Sequence, residues 1–431
     1  MKITIYRGTK EIGGTLIEIK SGNSRILIDA GYPLFLKGLP MQREVSEFGT
    51  EKLLELGVLP KIDGLYKWDK ASFDAVIISH AHIDHYGLLK YINPAIPVYM
   101  SKGTKKLIEV SQLFGIAGKF TLDIREFNMY RQFSVGDFTV KPYLMDHSAF
   151  DAAAFEISSE GKTIIYTGDF RGHGRKSVCL DMFIEKAALE CDVLLSEGTM
   201  FGRLEEKILT EQDLEQNVVD ELAGKDIPML FQCSSQNIDR LVSFYKAALQ
   251  LKRTFVIDIY TANVLFELKQ LGNNLPYPSK EYSNIRVFYP FRITQKLFKE
   301  IGENYARKFS KFHISKNEIE KKQNRIVMAV RPSMLNDLRH CGFSKGLFLY
   351  SLWEGYRDSD YQRKFEEFLQ QSGFRQKSIH TSGHASIEDI KRVIDGLKPK
   401  RVIPIHTLNP ELFEGLSSEV ELHDDGVGFE I

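Results

Sequence analysis

Residues 80–85 read His-Ala-His-Ile-Asp-His, which sets three imidazoles and a carboxylate within six positions. Neutral imidazole and carboxylate oxygen are donors suited to zinc, manganese or iron. His80 and His82 lie two apart, so from extended backbone both can point to one side and hold one ion. Asp84 and His85 sit at the turn that follows and can reach a second ion. Just upstream, Ala75-Val76-Ile77-Ile78 is a short β-branched apolar run, which predicts a strand buried on both faces. The donors are therefore presented where the chain leaves a rigid element, with a short helix expected from Tyr86 onward.

Further acids and imidazoles recur at predicted strand ends. A strand over 138–144 leads to Asp146-His147, and a hairpin of 154–157 with 163–166 ends in Thr167-Gly168-Asp169. A buried strand over 192–196 delivers Glu197-Gly198-Thr199. Ser378-Ile379-His380-Thr381-Ser382-Gly383-His384-Ala385-Ser386 precedes a helix with Ile390, Val393, Ile394 and Leu397 on one face, its start capped by Ser386 and Asp389. A strand over 401–405 then delivers His406, and Pro404 within it predicts a strand end or a sheet edge. Near the N-terminus, strands over 1–6, 15–19 and 25–28 end in Asp29-Ala30-Gly31. An aspartate at a strand end before glycine is common turn chemistry, and Asp29 could also accept hydrogen bonds that fix the His80–His85 loop.

The elements that must position these groups are those of a large α/β protein. The chain has 431 residues, 43% hydrophobic, with 57 basic and 57 acidic side chains, so overall charge points to no anionic or cationic partner. The four cysteines are scattered without a CxxC pair, which predicts neither a disulfide framework nor a thiolate metal site. The first residues alternate like a strand and lack the apolar core of a signal peptide, and no apolar run approaches membrane-spanning length. A cytoplasmic enzyme without membrane association is expected. Residues 32–72 are irregular apart from a helix around 47–56, and they are read as a rim of the active-site mouth.

From Thr210 the pattern changes to alternating helices and strands: a helix with Leu214, Val218 and Leu222 inward, a strand over 228–231, a helix through Leu241 and Tyr245, a strand over 254–259 and a helix over 261–271. This predicts a second, parallel-sheet domain. Its charge is uneven, since residues 241–340 hold 18 Lys and Arg against 8 Asp and Glu. Such an excess fits solvated helix faces or an electrostatic footprint for phosphate, and the neighbouring motifs favour the second. Ser234 and Ser235, just before a helix, can present backbone N–H groups to a phosphate; plain helix capping explains them equally well. Arg331, with Trp353 and Tyr356, offers a guanidinium and stacking rings.

The run His-Ala-His-Ile-Asp-His resembles the HxHxDH signature of the metallo-β-lactamase superfamily of binuclear metallohydrolases. Ser196-Glu197-Gly198-Thr199, Ser382-Gly383-His384-Ala385-Ser386 and Ile403-Pro404-Ile405-His406 resemble motifs of its β-CASP ribonuclease branch, the RNase J type in particular. The resemblance covers nearly the whole chain. It implies an αββα sandwich built from residues 1–203 and 373–431, with an inserted α/β β-CASP domain over 204–372. It implies His80, His82 and His147 as ligands of one divalent ion, Asp84, His85 and His406 as ligands of a second, and Asp169 bridging them. Asp84, Glu197 and His384 become the catalytic groups, with Glu197 orienting His384 to protonate a leaving oxygen. Zn²⁺ is the expected metal, with Mn²⁺ the alternative. His380 and Ser382, with Ser234, Ser235 and Arg331, become phosphate contacts. The inserted domain, closing over the metals, would form a channel for single-stranded RNA; histidine at the place of His406 goes with RNA rather than DNA processing in that branch. About 25 residues follow His406, which predicts the RNase J type without its additional C-terminal domain, compatible with a homodimer. A hydrolase of a small ester, lactone or phosphodiester is the alternative. A third reading, a non-catalytic scaffold, would be marked by lost ligands, and here the ligand set is complete.

Overall fold

The computed structural model describes every residue except 37, 42–44, 46, 204–207, 273 and 418. It divides into two compact units, one of Met1–Ile108, Gly115–Glu206 and Gly383–Ile431, the other of Glu109–Phe114 and Lys207–Ser382. The first junction expected from the sequence, at residue 204, lies outside the described residues.

The first unit is a two-sheet sandwich. Its seven-stranded sheet runs Gly428–Glu430, Lys2–Arg7, Leu16–Ser21, Ser24–Ile28, Ala75–Ile77, Val98–Ser101, Ile124–Phe127. The N-terminal hairpins are antiparallel, and pairing becomes parallel from Ser24–Ile28 onward. The six-stranded sheet runs Val402–Ile405, Val193–Glu197, Lys162–Tyr166, Ala152–Ser159, Phe138–Met145, Phe133–Val135. Val402–Ile405 is its edge strand, which accommodates Pro404 without a lost ladder bond at the sheet centre.

Burial follows the residue patterns. Lys2–Arg7 alternates exposed and buried, whereas Ala75–Ile77 and Val193–Glu197 are buried at every position, as β-branched and leucine runs require. Between the sheets, Ile3, Ile17, Ile28 and Ile77 meet Phe155, Tyr166, Leu195 and Ile403 in one core. On the outer face of the second sheet, Phe183 from helix Val178–Lys186 and Ile390, Val393 and Leu397 from helix Ile387–Leu397 pack on Tyr143, Ile165 and Leu194. The helical spacing expected for residues 390–397 is thus realised, and Ser386 caps that helix by accepting from Asp389 N.

The second unit holds a wholly parallel sheet in the order Ile285–Phe288, Thr254–Asp258, Ile326–Ala329, Met229–Gln232, Gly346–Tyr350, Phe374–Ser378. Helices connect its strands, as parallel pairing demands. Thr210 and Asp213 form a reciprocal capping box, Asn237 caps Ile238–Gln250, and Asp258 caps Ile259–Lys269. Among the described residues no helix is long and apolar enough to cross a membrane.

Candidate metal centre

The residues singled out for the metal cluster all lie in the first unit, where strands end. His80 and His82 follow Ala75–Ile77, His147 follows Phe138–Met145, Asp169 follows Lys162–Tyr166, Glu197 closes Val193–Glu197, and His406 follows Val402–Ile405. Parallel register sets Tyr166 beside Leu195 and Glu197 beside Ile405, so neighbouring strands release their functional residues side by side. The short helix begins earlier than the sequence pattern predicts, at Ile83–Tyr86, because the His82 carbonyl accepts from His85 N at 2.9 Å and from Tyr86 N at 3.2 Å. Asp84 and His85 therefore project from a helical turn. Gly31 is pressed against this turn: a Cβ there would lie 1.9 Å from the Asp84 carbonyl oxygen.

The donor atoms fall into overlapping groups: His80, His82, His147 and Asp169 form one, Asp84, His85 and His406 a second, and Asp169, Glu197, His384 and His406 a third. In the first, His82 Nδ1 lies 3.1 Å from both His80 Nε2 and His147 Nε2, and those two nitrogens lie 3.7 and 3.9 Å from Asp169 Oδ2. In the second, His406 Nε2 is 3.3 Å from Asp84 Oδ2, while His85 Nε2 is 3.2 Å and His406 Nε2 3.8 Å from the same Asp169 oxygen. Tetrahedral ligation at zinc-like bond lengths separates donors by about 3.3–3.4 Å. The observed separations bracket that value, and Asp169 Oδ2 lies within 3.9 Å of two imidazole nitrogens in each of these sets.

The residues fit a divalent metal on a second ground. Both carboxylate oxygens of Asp169 and Nε2 of His85 are buried without a hydrogen-bond partner; although the two residues approach closely, they are not aligned as a hydrogen bond. Burying a carboxylate unsatisfied costs several kcal/mol, a cost that a bound cation removes.

Four of the five clustered imidazoles have their other nitrogen occupied. His85 Nδ1 donates to Asp29 at 2.7 Å, His147 Nδ1 to the Gly383 carbonyl at 2.5 Å, and His80 Nδ1 meets Ser79 Oγ at 3.0 Å. His406 Nδ1 lies 2.8 Å from Thr199 Oγ1, whose hydroxyl in turn has the His406 carbonyl at 3.2 Å. These partners leave Nε2 of those four rings facing inward, whereas His82 turns Nδ1 to the cluster. Asp29 also accepts from Ser79 N, Ser79 Oγ and Tyr166 Oη at 2.7, 2.8 and 2.6 Å. Asp29 and His406 both hold left-handed backbone, φ +58° and +51°, which non-glycine residues adopt only where surroundings enforce it.

Electrostatics hold most of the cluster in its ligand form. Burial, reinforced by neighbouring imidazoles, keeps His80 and His147 well below the ordinary histidine value, and burial takes His82 down to about 4. Burial would raise Asp84, yet His85 and His406 bring it down to about 2. Asp169 is likewise driven well below the carboxylate range by His406 and His85 against its desolvation. His85 is the exception: burial opposes its charge, but Asp169, Asp29 and Asp84 outweigh it and push the ring well above the ordinary value. Metal binding there displaces a proton.

Beside the cluster stands a carboxylate–imidazole pair. Glu197 Oε2 accepts from His384 Nδ1 at 3.1 Å, and Glu197 Oε1 is fixed by Phe170 N at 2.9 Å and Ala385 N at 3.3 Å. Burial disfavours a charged His384, but Glu197 and then Asp169 raise it above the ordinary value.

The remaining predicted residues belong to the second unit. Ser234 and Ser235 follow Met229–Gln232, Arg331 follows Ile326–Ala329, and His380 and Ser382 follow Phe374–Ser378, so all five leave the carboxyl ends of parallel strands. Ligands bind at that edge in open parallel sheets. Gln236 N is taken by Ser234 Oγ at 3.2 Å, and Asn237 rather than either serine caps the helix. Arg331 donates to Ser235 Oγ at 2.8 Å and pairs with Asp258 at 2.7 Å.

Comparison with known proteins matches residues 25–222 to a beta-lactamase superfamily domain and residues 375–412 to a Zn-dependent metallo-hydrolase RNA specificity domain. Ribonuclease J of Helicobacter pylori strain 26695 is 24% identical over 94% of this chain and 56% of its own. Ribonuclease J of Mycoplasma genitalium is 22% identical over 94% of this chain and 67% of its own. The chain thus combines a beta-lactamase superfamily domain with a Zn-dependent metallo-hydrolase RNA specificity domain and is similar over 94% of its length to Ribonuclease J. It spans little more than half the length of the H. pylori relative. An RNase J-like protein of Methanocaldococcus jannaschii is 27% identical over 51% of this chain and 48% of its own. A solved structure from Enterococcus faecalis V583 shares the fold, with TM-score 0.81 at 24% identity over 99% of both chains.

Sequence reasoning missed the groups that orient the donors: Thr199 on His406, Tyr166 on Asp29, and the Gly383 carbonyl on His147. Thr199 stands two residues after Glu197, and its position beside that acid is the one available signal. Partners of metal-bound imidazoles are worth about 10–100-fold in metal affinity. Thr199→Val should therefore weaken divalent-ion binding by about that factor, while Thr199→Ser retains it. Titration with a chromogenic chelator measures this; equal affinity in both variants would refute the orienting role.

Proposed function

We propose that this chain is a ribonuclease holding two divalent metal ions, Zn²⁺ or Mn²⁺, and hydrolysing phosphodiester bonds of single-stranded RNA. The observation that carries the reading is Asp169, whose two carboxylate oxygens are buried without a hydrogen-bond partner and whose Oδ2 lies within 3.9 Å of His80 and His147 on one side and of His85 and His406 on the other. His80, His82 and His147 would hold one ion, and Asp84, His85 and His406 the other, with Asp169 common to both. When bound, such an ion pair supplies Lewis acidity that acidifies water and offsets charge on a phosphoryl group. The chain's own groups do the rest. Asp29 keeps the His85 ring turned so that Nε2 faces inward. Glu197 accepts a hydrogen bond from His384 Nδ1–H and stabilises the imidazolium, so His384 Nε2 can deliver its proton to the departing ribose oxygen.

RNA as the substrate is supported by the RNA specificity domain over residues 375–412, which includes His380, Ser382, His384 and His406, and by the names of the relatives. The second unit we read as the β-CASP domain, with Ser234, Ser235, Arg331, His380 and Ser382 as contacts for the phosphate backbone. Arg331 acts there as half of an ion pair with Asp258, so it contributes direction more than net charge.

The test compares metal-loaded protein on single-stranded RNA and on a small chromogenic phosphodiester across a salt series. Counterion release makes affinity for the polymer fall with salt. The expected result is a steep fall of kcat/KM on RNA and a shallow one on the small ester. Parallel slopes on the two substrates would favour a small-molecule hydrolase.

A further inference from the structure

Helix Phe291–Glu300 of the second unit carries two large rings in solvent, Phe291 at 60% and Phe298 at 38% exposure, followed by Ile301 at 37%. Its inner side is held by buried Leu297. At 3.6 residues per turn, Phe291 and Phe298 form one stripe, and Arg292, Lys296 and Lys299 form a second about 100° away, with Gln295 between them. Both stripes share the solvent-facing arc opposite Leu297. None of the three cations takes part in an ion pair among the described residues, whereas Arg307, Lys308 and Lys316 nearby are paired with Glu303, Glu267 and Asp337. An open depression of about 750 Å³ lies over this face, lined by Arg292, Gln295, Lys296, Phe298, Lys299 and Glu300. Glu300 is the single acid in that lining.

We propose that this face is an auxiliary binding surface for single-stranded RNA, with bases stacking on Phe291 and Phe298 and phosphates meeting Arg292, Lys296 and Lys299. The inference rests on RNA being the substrate. Charge complementarity selects a polyanion, and the rings beside the cations select one with flat faces to stack, since aromatic platforms next to a basic track are how single strands are held without sequence preference. A helix lying in a lipid surface sinks a continuous apolar face and carries its cations on the opposite side. Here the rings and cations are neighbours, and the side opposite them is already packed inside the protein.

The test uses metal-loaded full-length chain and a fluorescent single-stranded oligoribonucleotide with 2′-O-methyl and phosphorothioate linkages, which binds without being cut. Two variants are compared with wild type: Phe291→Ala with Phe298→Ala, and Arg292→Gln with Lys296→Gln and Lys299→Gln. All five positions lie on the solvent side, and circular dichroism checks that both variants stay folded. The ring variant should bind at least about fivefold more weakly with an unchanged salt slope. Single strands contribute about −0.7 per neutralised phosphate, so the charge variant should lose about two units of slope in log K against log salt. Hydrolysis of the small chromogenic phosphodiester should be unchanged in both. RNA affinity equal to wild type in either variant overturns the proposal. So does a ring variant that keeps RNA affinity but loses binding to phosphatidylserine vesicles, or one that loses polyglutamate binding to the same degree as RNA. If wild type binds the oligomer through this face yet never cuts unmodified RNA, the hydrolytic reading fails and the surface stands. If it cuts RNA and both variants bind normally, only the surface falls.

Discussion

Asp169→Asn is expected to release metal and to abolish most turnover while leaving the sandwich folded. The Asp169 carboxylate lies within 3.9 Å of five imidazole nitrogens, on His80, His85, His147, His384 and His406. An amide of the same shape keeps the volume but removes the charge that both donor groups share. Removing one partner from a buried charge network costs about 3–5 kcal/mol, equivalent to roughly 10²–10⁴-fold in affinity at 1.4 kcal/mol per decade. Protein purified without chelator should carry close to two equivalents of divalent metal by elemental analysis, and the variant one or fewer. Turnover should fall by at least the same factor and recover only partly at high metal concentration. A fully active wild-type preparation holding a single equivalent would end the two-metal reading.

The second large effect belongs to the Glu197–His384 pair. His384→Ala and Glu197→Gln should each lower turnover by about 10²–10⁴-fold, as loss of a positioned proton donor does, with metal content unchanged. Because the two act as one unit, the double variant should be scarcely worse than the poorer single one. Glu197→Gln has a separate signature in pH. Glu197 raises the His384 pKa against burial, so in the wild type the acid form persists to higher pH and activity is lost as pH rises through that value. Without the carboxylate the ring loses its proton sooner, and the basic limb of the kcat profile should move to lower pH. An unmoved limb, or a His384→Ala protein stripped of metal, would assign these residues to the metal site instead.

Most of the fold and the donor set could be read locally. Buried strands announce themselves as β-branched runs, and an acid or histidine closing such a run, or within three residues beyond it, is delivered to the strand end whatever the rest of the chain does. That holds for His80, His147, Asp169, Glu197 and His406 alike. Caps are equally local, and Thr210 and Ser386 occupy the positions their spacing predicts. Where the local reading slipped, at the helix Ile83–Tyr86, the deciding bonds run from His85 N and Tyr86 N to the His82 carbonyl, and nothing in residue type announces them.

What the sequence by itself determined is therefore the kind of chemistry: imidazoles and carboxylates in the numbers and order that suit two hard-to-borderline cations, followed by a basic α/β segment. What only tertiary structure decided is which nitrogen of each ring is free, and which charges are already satisfied. His406 reaches Asp84 across 322 positions, and Tyr166 reaches Asp29 across 137. Such partners are chosen by sheet register, not by neighbours in the chain. The left-handed backbone at Asp29 and His406 and the pairing of Arg331 with Asp258 have the same origin. A hydroxyl, a carbonyl or a carboxylate is chemically able to serve many groups, and only the packing of the sheets selects the one it serves.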